Sequence, residues 1–258
     1  MTAQVHTTRR SLLALSVAAG LLGPSAYAQA PAFNADRVQA LEAQLRNAPN
    51  VRAFLMERRG APFSYYRQDT TPTTRLNVAS VTKTVMALLV GITIGLGCLT
   101  SVDEPLAAFF PEHAQGPQAA ALQRVTLRHL LTLSPGFDRR GLDANTDYPD
   151  FVQRFFSPGL LAHAIGRPLV DEPGSRFYYS NIDSHLVAEA LARRVKMPLA
   201  AFAQAELFKP LGIEGAEWPT GQDGVPNGAA ELRLTAPDLL RIGQLVRAGG
   251  LWQGRQLV

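Results

Sequence analysis

Lysine is nearly missing from this chain. Its 258 residues carry 25 basic side chains, and only Lys83, Lys196 and Lys209 are lysines. Cysteine is scarcer still. Cys98 stands alone, which excludes an internal disulfide and any cysteine-based metal site. The five histidines (His6, His113, His129, His163 and His185) are scattered, and no two have the i, i+4 spacing of a zinc-binding helix. No metal or organic cofactor is expected. The apolar run from Leu12 to Leu22 is shorter than the ~20 residues a membrane span needs, so no stable membrane anchor is expected. A strong charge of one sign is also lacking. The net charge is only +4, and arginines alternate with acids, as in Glu57-Arg58-Arg59. Such mixing suits a solvated surface and argues against a nucleic-acid partner.

The first residues read as a leader. Thr8-Arg9-Arg10-Ser11-Leu12-Leu13 precedes the apolar run, and small residues follow in Ser25-Ala26-Tyr27-Ala28. The expectation is a signal peptide over residues 1–28, with the paired arginines of the twin-arginine type. It implies engagement of the export machinery and a periplasmic or secreted bacterial protein. An ordinary secretory signal that happens to hold two arginines is the alternative.

The length suggests one large or two small domains. Asn34 can cap a helix running to Arg46, with Val38, Leu41 and Leu45 on one face. Val51–Glu57 and Phe63–Arg67 read as strands around a turn at Gly60. From Ser80 a helix runs to Gly95 and Gly97, apolar on most sides and so buried. Ser134–Asp150 reads as a loop. Thr126 can cap a short helix, Ile182–Val195 is an amphipathic helix, and Thr235 with Asp238 has capping-box spacing ahead of a last helix. The division expected is 34–97, the N-terminal part of an α/β domain with the Ser80 helix; 98–230, a mainly helical domain; and 231–258, a return to the α/β domain.

Val78-Ala79-Ser80-Val81-Thr82-Lys83 places a serine and a lysine at i, i+3, on one face of a helix. A serine hydroxyl keeps its proton near neutral pH and needs an adjacent base to attack a carbonyl. A lysine in a dry pocket loses its charge more readily and could be that base. The bland reading is a helix cap beside a solvated lysine. A second stretch, Gly174-Ser175-Arg176-Phe177-Tyr178-Tyr179-Ser180-Asn181, sets Tyr179 and Asn181 at a helix start. A phenol can shuttle a proton, and an amide can hold both a carbonyl and a lysine. Otherwise Tyr179 is a packing aromatic and Ser180 a cap paired with Asp183.

Taken together, Ser80-x-x-Lys83 and Tyr179-x-Asn181 resemble the serine β-lactamase-related hydrolases: class C β-lactamases, D-aminopeptidases, esterases and nylon-oligomer hydrolases. His129–Phe137, Leu207–Trp218 and Arg233–Val258 resemble further family segments in the same order, although Pro135 intrudes in the first. The resemblance implies an α+β fold of the β-lactamase/transpeptidase type, an antiparallel sheet flanked by helices with an inserted helical domain. It implies an acyl-enzyme on Ser80, Lys83 as base or proton relay, Tyr179 as general base and acid, and Asn181 as a substrate-positioning group. The substrate would be a small amide or ester. His129 is expected to be structural. The family's third motif, a Lys-Thr-Gly or His-x-Gly strand, is not found before Val258. The expectation is therefore a chain lacking the C-terminal sheet strands, and the alternative function is an inactive or penicillin-binding-like module.

Overall fold

A computed structural model describes residues 33–139 and 147–258. The leader read over residues 1–28 and the centre of the Ser134–Asp150 loop lie outside the described residues. Helix α1 (Ala35–Arg46) starts as expected, with Asn34 Oδ1 accepting the Arg37 N–H at 3.0 Å. Strands β1 (Ala53–Arg58) and β2 (Ala61–Tyr66) pair antiparallel, with Arg58 opposite Ala61. The two turn residues, Arg59 and Gly60, have φ of 51° and 78°, the left-handed pair that a tight type I′ hairpin requires. The hairpin rests on α1, where the Tyr65 hydroxyl donates to the Leu45 carbonyl at 3.4 Å.

Strand β3 (Leu76–Asn77) leads into a 3-10 turn, Ala79–Val81, and then α2 (Thr82–Gly95). Ser80 therefore sits in the turn ahead of the α-helix, not in its first α-helical turn. Val85, Met86, Leu89, Val90, Ile92 and Thr93 of α2 are all buried, as its apolar composition requires. Gly91 has a packing reason: a Cβ there would meet the Val258 side chain at 2.5 Å.

Short helices α3 (Ala119–Arg124) and α4 (Leu127–Leu131) follow, then α5 (Asp147–Phe155) and α6 (Leu160–Gly166). Helix α5 corrects the loop expected through Asp150. Pro149 falls in its first turn, where no N–H is needed for the helix ladder. Helix α7 (Asn181–Arg194) is the centre of the molecule: every residue from Asn181 to Leu191 is buried, and α2, α4, α5 and α6 pack around it. Helix α8 (Leu199–Ala203), strand β4 (Arg233–Leu234) and α9 (Ala236–Arg247) follow. Thr235 and Asp238 cap α9 reciprocally at 3.1 and 3.2 Å.

Strand β4 pairs with β3, not with the first hairpin. A last hairpin, β5 (Leu251–Trp252) and β6 (Arg255–Gln256), was not read in the sequence. Its turn, Gln253 and Gly254, repeats the left-handed pair, with φ of 48° and 81°. The architecture among the described residues is α+β, with three separate antiparallel pairs around a helical core.

Candidate active site

Three separate chain segments build the site. The first turns at Ala79, whose φ is 46°. A left-handed backbone with a Cβ costs about 1–2 kcal/mol, so neighbouring contacts must hold it. They do. Asn77 Oδ1 accepts the Ala79 N–H at 2.7 Å, Asn77 Nδ2 donates to Glu231 at 2.8 Å, and Tyr148 donates to the other Glu231 oxygen at 2.5 Å. That bond to a carboxylate holds Tyr148 protonated and pushes its pKa up to about 12. The Val78 N–H donates to the Leu232 carbonyl at 2.9 Å. Ser80 is thereby presented at an exposed corner, at the start of α2, where the helix dipole favours negative charge.

Lys83, one turn on, is half-buried. Its Nζ donates to Asn181 Oδ1 at 2.9 Å and to the Ala229 carbonyl at 2.8 Å. The same atom faces Ser80 Oγ at 3.3 Å. An ammonium would donate there, while a neutral amine would turn its lone pair to the serine. Tyr179 arrives on the extended segment before α7. Its hydroxyl lies 2.6 Å from Ser80 Oγ, and Lys83 Nζ sits 4.7 Å from its ring centroid. All four residues singled out in the sequence meet at this one place.

Burial anchors the tyrosine from behind. Ser180 Oγ accepts the Asp183 N–H at 3.1 Å and caps α7, as expected. Asp183 is fully buried between two arginines: Arg139 donates to it at 3.0 Å and Arg167 at 2.5 Å. Arg139 also donates to the Tyr179 carbonyl at 3.2 Å. Sequence reasoning found neither this ion cluster nor the Ala229 carbonyl that fixes Lys83. A backbone acceptor leaves no signature in side-chain identity, and the arginines come from distant segments.

The cavity under Lys83, lined by Met86, Leu131, Leu133 and Gly228 among others, holds only about 80 Å³. That is well below the size of an ordinary small-molecule pocket. A substrate must approach from the exposed side of Ser80 and Tyr179, the latter 44% exposed. His129, as expected, is structural: its Nδ1 accepts the Thr126 N–H at 3.1 Å and helps cap α4.

A second polar cluster lies elsewhere on α7. His185, Glu189 and Asp223 bring donor atoms together. Burial pushes the His185 pKa down to about 4, against the opposing pull of Asp223. Burial, reinforced by Asp223, pushes Glu189 up to about 8.

Comparison with known proteins identifies the fold and the family. The family model described as Beta-lactamase matches residues 38–256. No curated protein matches the chain. A Bacillus anthracis protein provisionally named a 6-aminohexanoate-dimer hydrolase superposes with a TM-score of 0.67 at 17% identity, covering 83% of this chain and 58% of that one. A class C β-lactamase gives 0.65 at 20% identity, covering 86% and 66%. A β-lactamase/D-alanine carboxypeptidase from Pseudomonas syringae gives 0.65 at 19%, covering 85% and 66%. The chain thus spans 58–66% of the length of these three structures. At such identities the likeness is one of fold, the β-lactamase/transpeptidase-like α+β fold. With the family model matching most of its length, the chain belongs to the β-lactamase family.

Proposed function

We propose that this protein is an exported serine hydrolase that cleaves an amide or ester bond in a small molecule through a covalent intermediate on Ser80. One observation carries the proposal: the Tyr179 hydroxyl lies 2.6 Å from Ser80 Oγ, with Lys83 at 3.3 Å on the same oxygen. Export rests on the leader read over residues 1–28.

In this reading Ser80 Oγ bonds to the substrate carbonyl carbon as its proton leaves. The phenolic oxygen of Tyr179 is the nearer acceptor, and it must be unprotonated at that moment. The Lys83 cation near its ring favours that charge. The proton then passes from Tyr179 to the leaving nitrogen or oxygen as the carbonyl–leaving-group bond breaks. Water repeats the cycle in reverse to free Ser80. Asn181 holds Lys83 in place through its oxygen, which accepts the lysine's Nζ at 2.9 Å. The resemblance of Arg233–Val258 to nylon-oligomer hydrolases favours a linear amide or an ester over a β-lactam.

Incubation of the folded protein with a fluorophosphonate and with a fluorescent β-lactam tests this. Labelling is expected in the wild type and absent in Ser80→Ala. Tyr179→Phe should slow it by about 100- to 10,000-fold, the usual contribution of a positioned acid–base group. Wild-type protein that stays unlabelled while folded would favour a non-catalytic module of the same fold.

A further inference from the structure

Away from the serine site, one buried polar cluster on α7 has no structural purpose in the contacts described so far. His185 and Glu189 stand one helical turn apart, only 1% and 5% exposed. His185 Nε2 and Glu189 Oε1 face each other across 3.7 Å. Both atoms are buried, and neither finds a hydrogen-bond partner among the described residues. Such orphaned buried atoms are destabilising unless something satisfies them. The exposed Asp223 brings a carboxylate oxygen to the same place, and the three donor atoms lie within 4.8 Å of one another. Asp223 Oδ1 accepts the Val225 N–H at 2.9 Å, which orders its loop. Phe151 and Phe155 pack edge-on against the imidazole, at 5.8 and 5.4 Å between centroids, and fix its plane. Glu189 and Asp223 line a cavity of about 380 Å³, walled also by Phe155, Leu160, Arg193 and Gln222.

A water can bridge two of these atoms, but a divalent cation engages all three donors at once and takes the place of the proton that Glu189 otherwise keeps. One imidazole with two carboxylates is a donor set for zinc and its transition-metal neighbours, whereas calcium and magnesium prefer oxygen alone. Bonds of about 2.0–2.2 Å place tetrahedral ligand atoms roughly 3.3–3.6 Å apart. The histidine–glutamate pair is already near that spacing, and the exposed Asp223 can swing in to close the rest. We propose that His185 Nε2, Glu189 and Asp223 bind a zinc-type divalent cation, whose remaining coordination faces the cavity.

Binding has a structural consequence. The Gly228 N–H donates to His185 Nδ1 across 3.3 Å. Ligation at Nε2 moves the ring proton to Nδ1, so this bond must loosen. Glu189 gives up its own proton on ligation. Gly228 precedes Ala229, the residue whose carbonyl holds Lys83, yet the metal site itself does not rest on the hydrolase reading.

The full chain, stripped with a chelator and dialysed against Zn²⁺, provides the test. The expected result is one zinc per chain by elemental analysis, a raised Tm and a shifted Gly228 amide resonance. Glu189→Gln and Asp223→Asn should each weaken zinc binding by more than about 10-fold, since even outer-shell partners contribute about 10- to 100-fold. Asp223 lies on an exposed loop, so its variant keeps the fold if Glu189→Gln does not. The inference is overturned if no zinc is retained, if both variants bind it as tightly as the wild type, or if the Gly228 amide stays put on zinc addition.

Discussion

Helix α7 carries two buried acids that live in opposite circumstances. Asp183, in the first turn, is enclosed by Arg139 and Arg167 and made part of the cap at Ser180. Glu189, farther along, faces a neutral histidine and another carboxylate, and keeps an orphaned oxygen. The difference is one of duty. The first turn holds Asn181 and anchors the segment that carries Tyr179 into the serine site, so its backbone must not move. The later turn has no such burden, and its unpaired atoms are what a ligand site leaves behind.

Substitution should expose this contrast. Asp183→Ala strands two arginines without their shared anion, which costs about 3–5 kcal/mol. Chemical denaturation should show that loss, and labelling at Ser80 should fall with it as Tyr179 loses its support. Glu189→Gln keeps the shape and removes only an ionisable proton, so in metal-free protein it should change stability by less than about 1 kcal/mol. Equal losses in the two variants would erase the distinction.

A smaller effect belongs to the serine corner. Ala79→Gly relieves the left-handed strain but loosens the unfolded chain. The net should be a gain of about 0.5–1 kcal/mol, read as a modest rise in Tm. A fall in Tm would mean that the Ala79 methyl is needed for packing.

The smallest effect concerns His129. Partial burial lowers its pKa below the usual 6.5. Below pH 6.5 the unfolded chain therefore takes up a proton that the folded one resists. Stability present above that pH is lost as the pH falls through this window towards the folded-state pKa. Glutamine at the same capping position keeps the hydrogen bond without titrating. His129→Gln should show a shallower loss of Tm between pH 6.5 and 5 than the wild type, and parallel curves would refute the assignment.

Local signals were the legible ones. The Asn34, Ser180 and Thr235 caps, the Gly60 turn and the α2 and α7 helices follow from a few adjacent residues each. Ser80 and Lys83 share a helix face by spacing alone, while Tyr179 and Asn181 drew their weight from family resemblance. Long-range features were hidden. The strained backbone at Ala79 is held by its neighbour Asn77, which in turn depends on Glu231 and Tyr148 arriving from distant segments. The Gln253-Gly254 turn was readable but overshadowed by the helix before it. His185 and Glu189 do have metal-like spacing, but a search confined to histidine pairs passes over them, and Asp223 joins only through folding.

Intact-protein mass spectrometry after exposure to an activated amide or ester tests the central claim most directly. A stoichiometric acyl adduct that maps to Ser80, disappears in Ser80→Ala and forms far more slowly in Tyr179→Phe is the predicted result. An adduct on another residue, or one whose rate is indifferent to Tyr179, would contradict it.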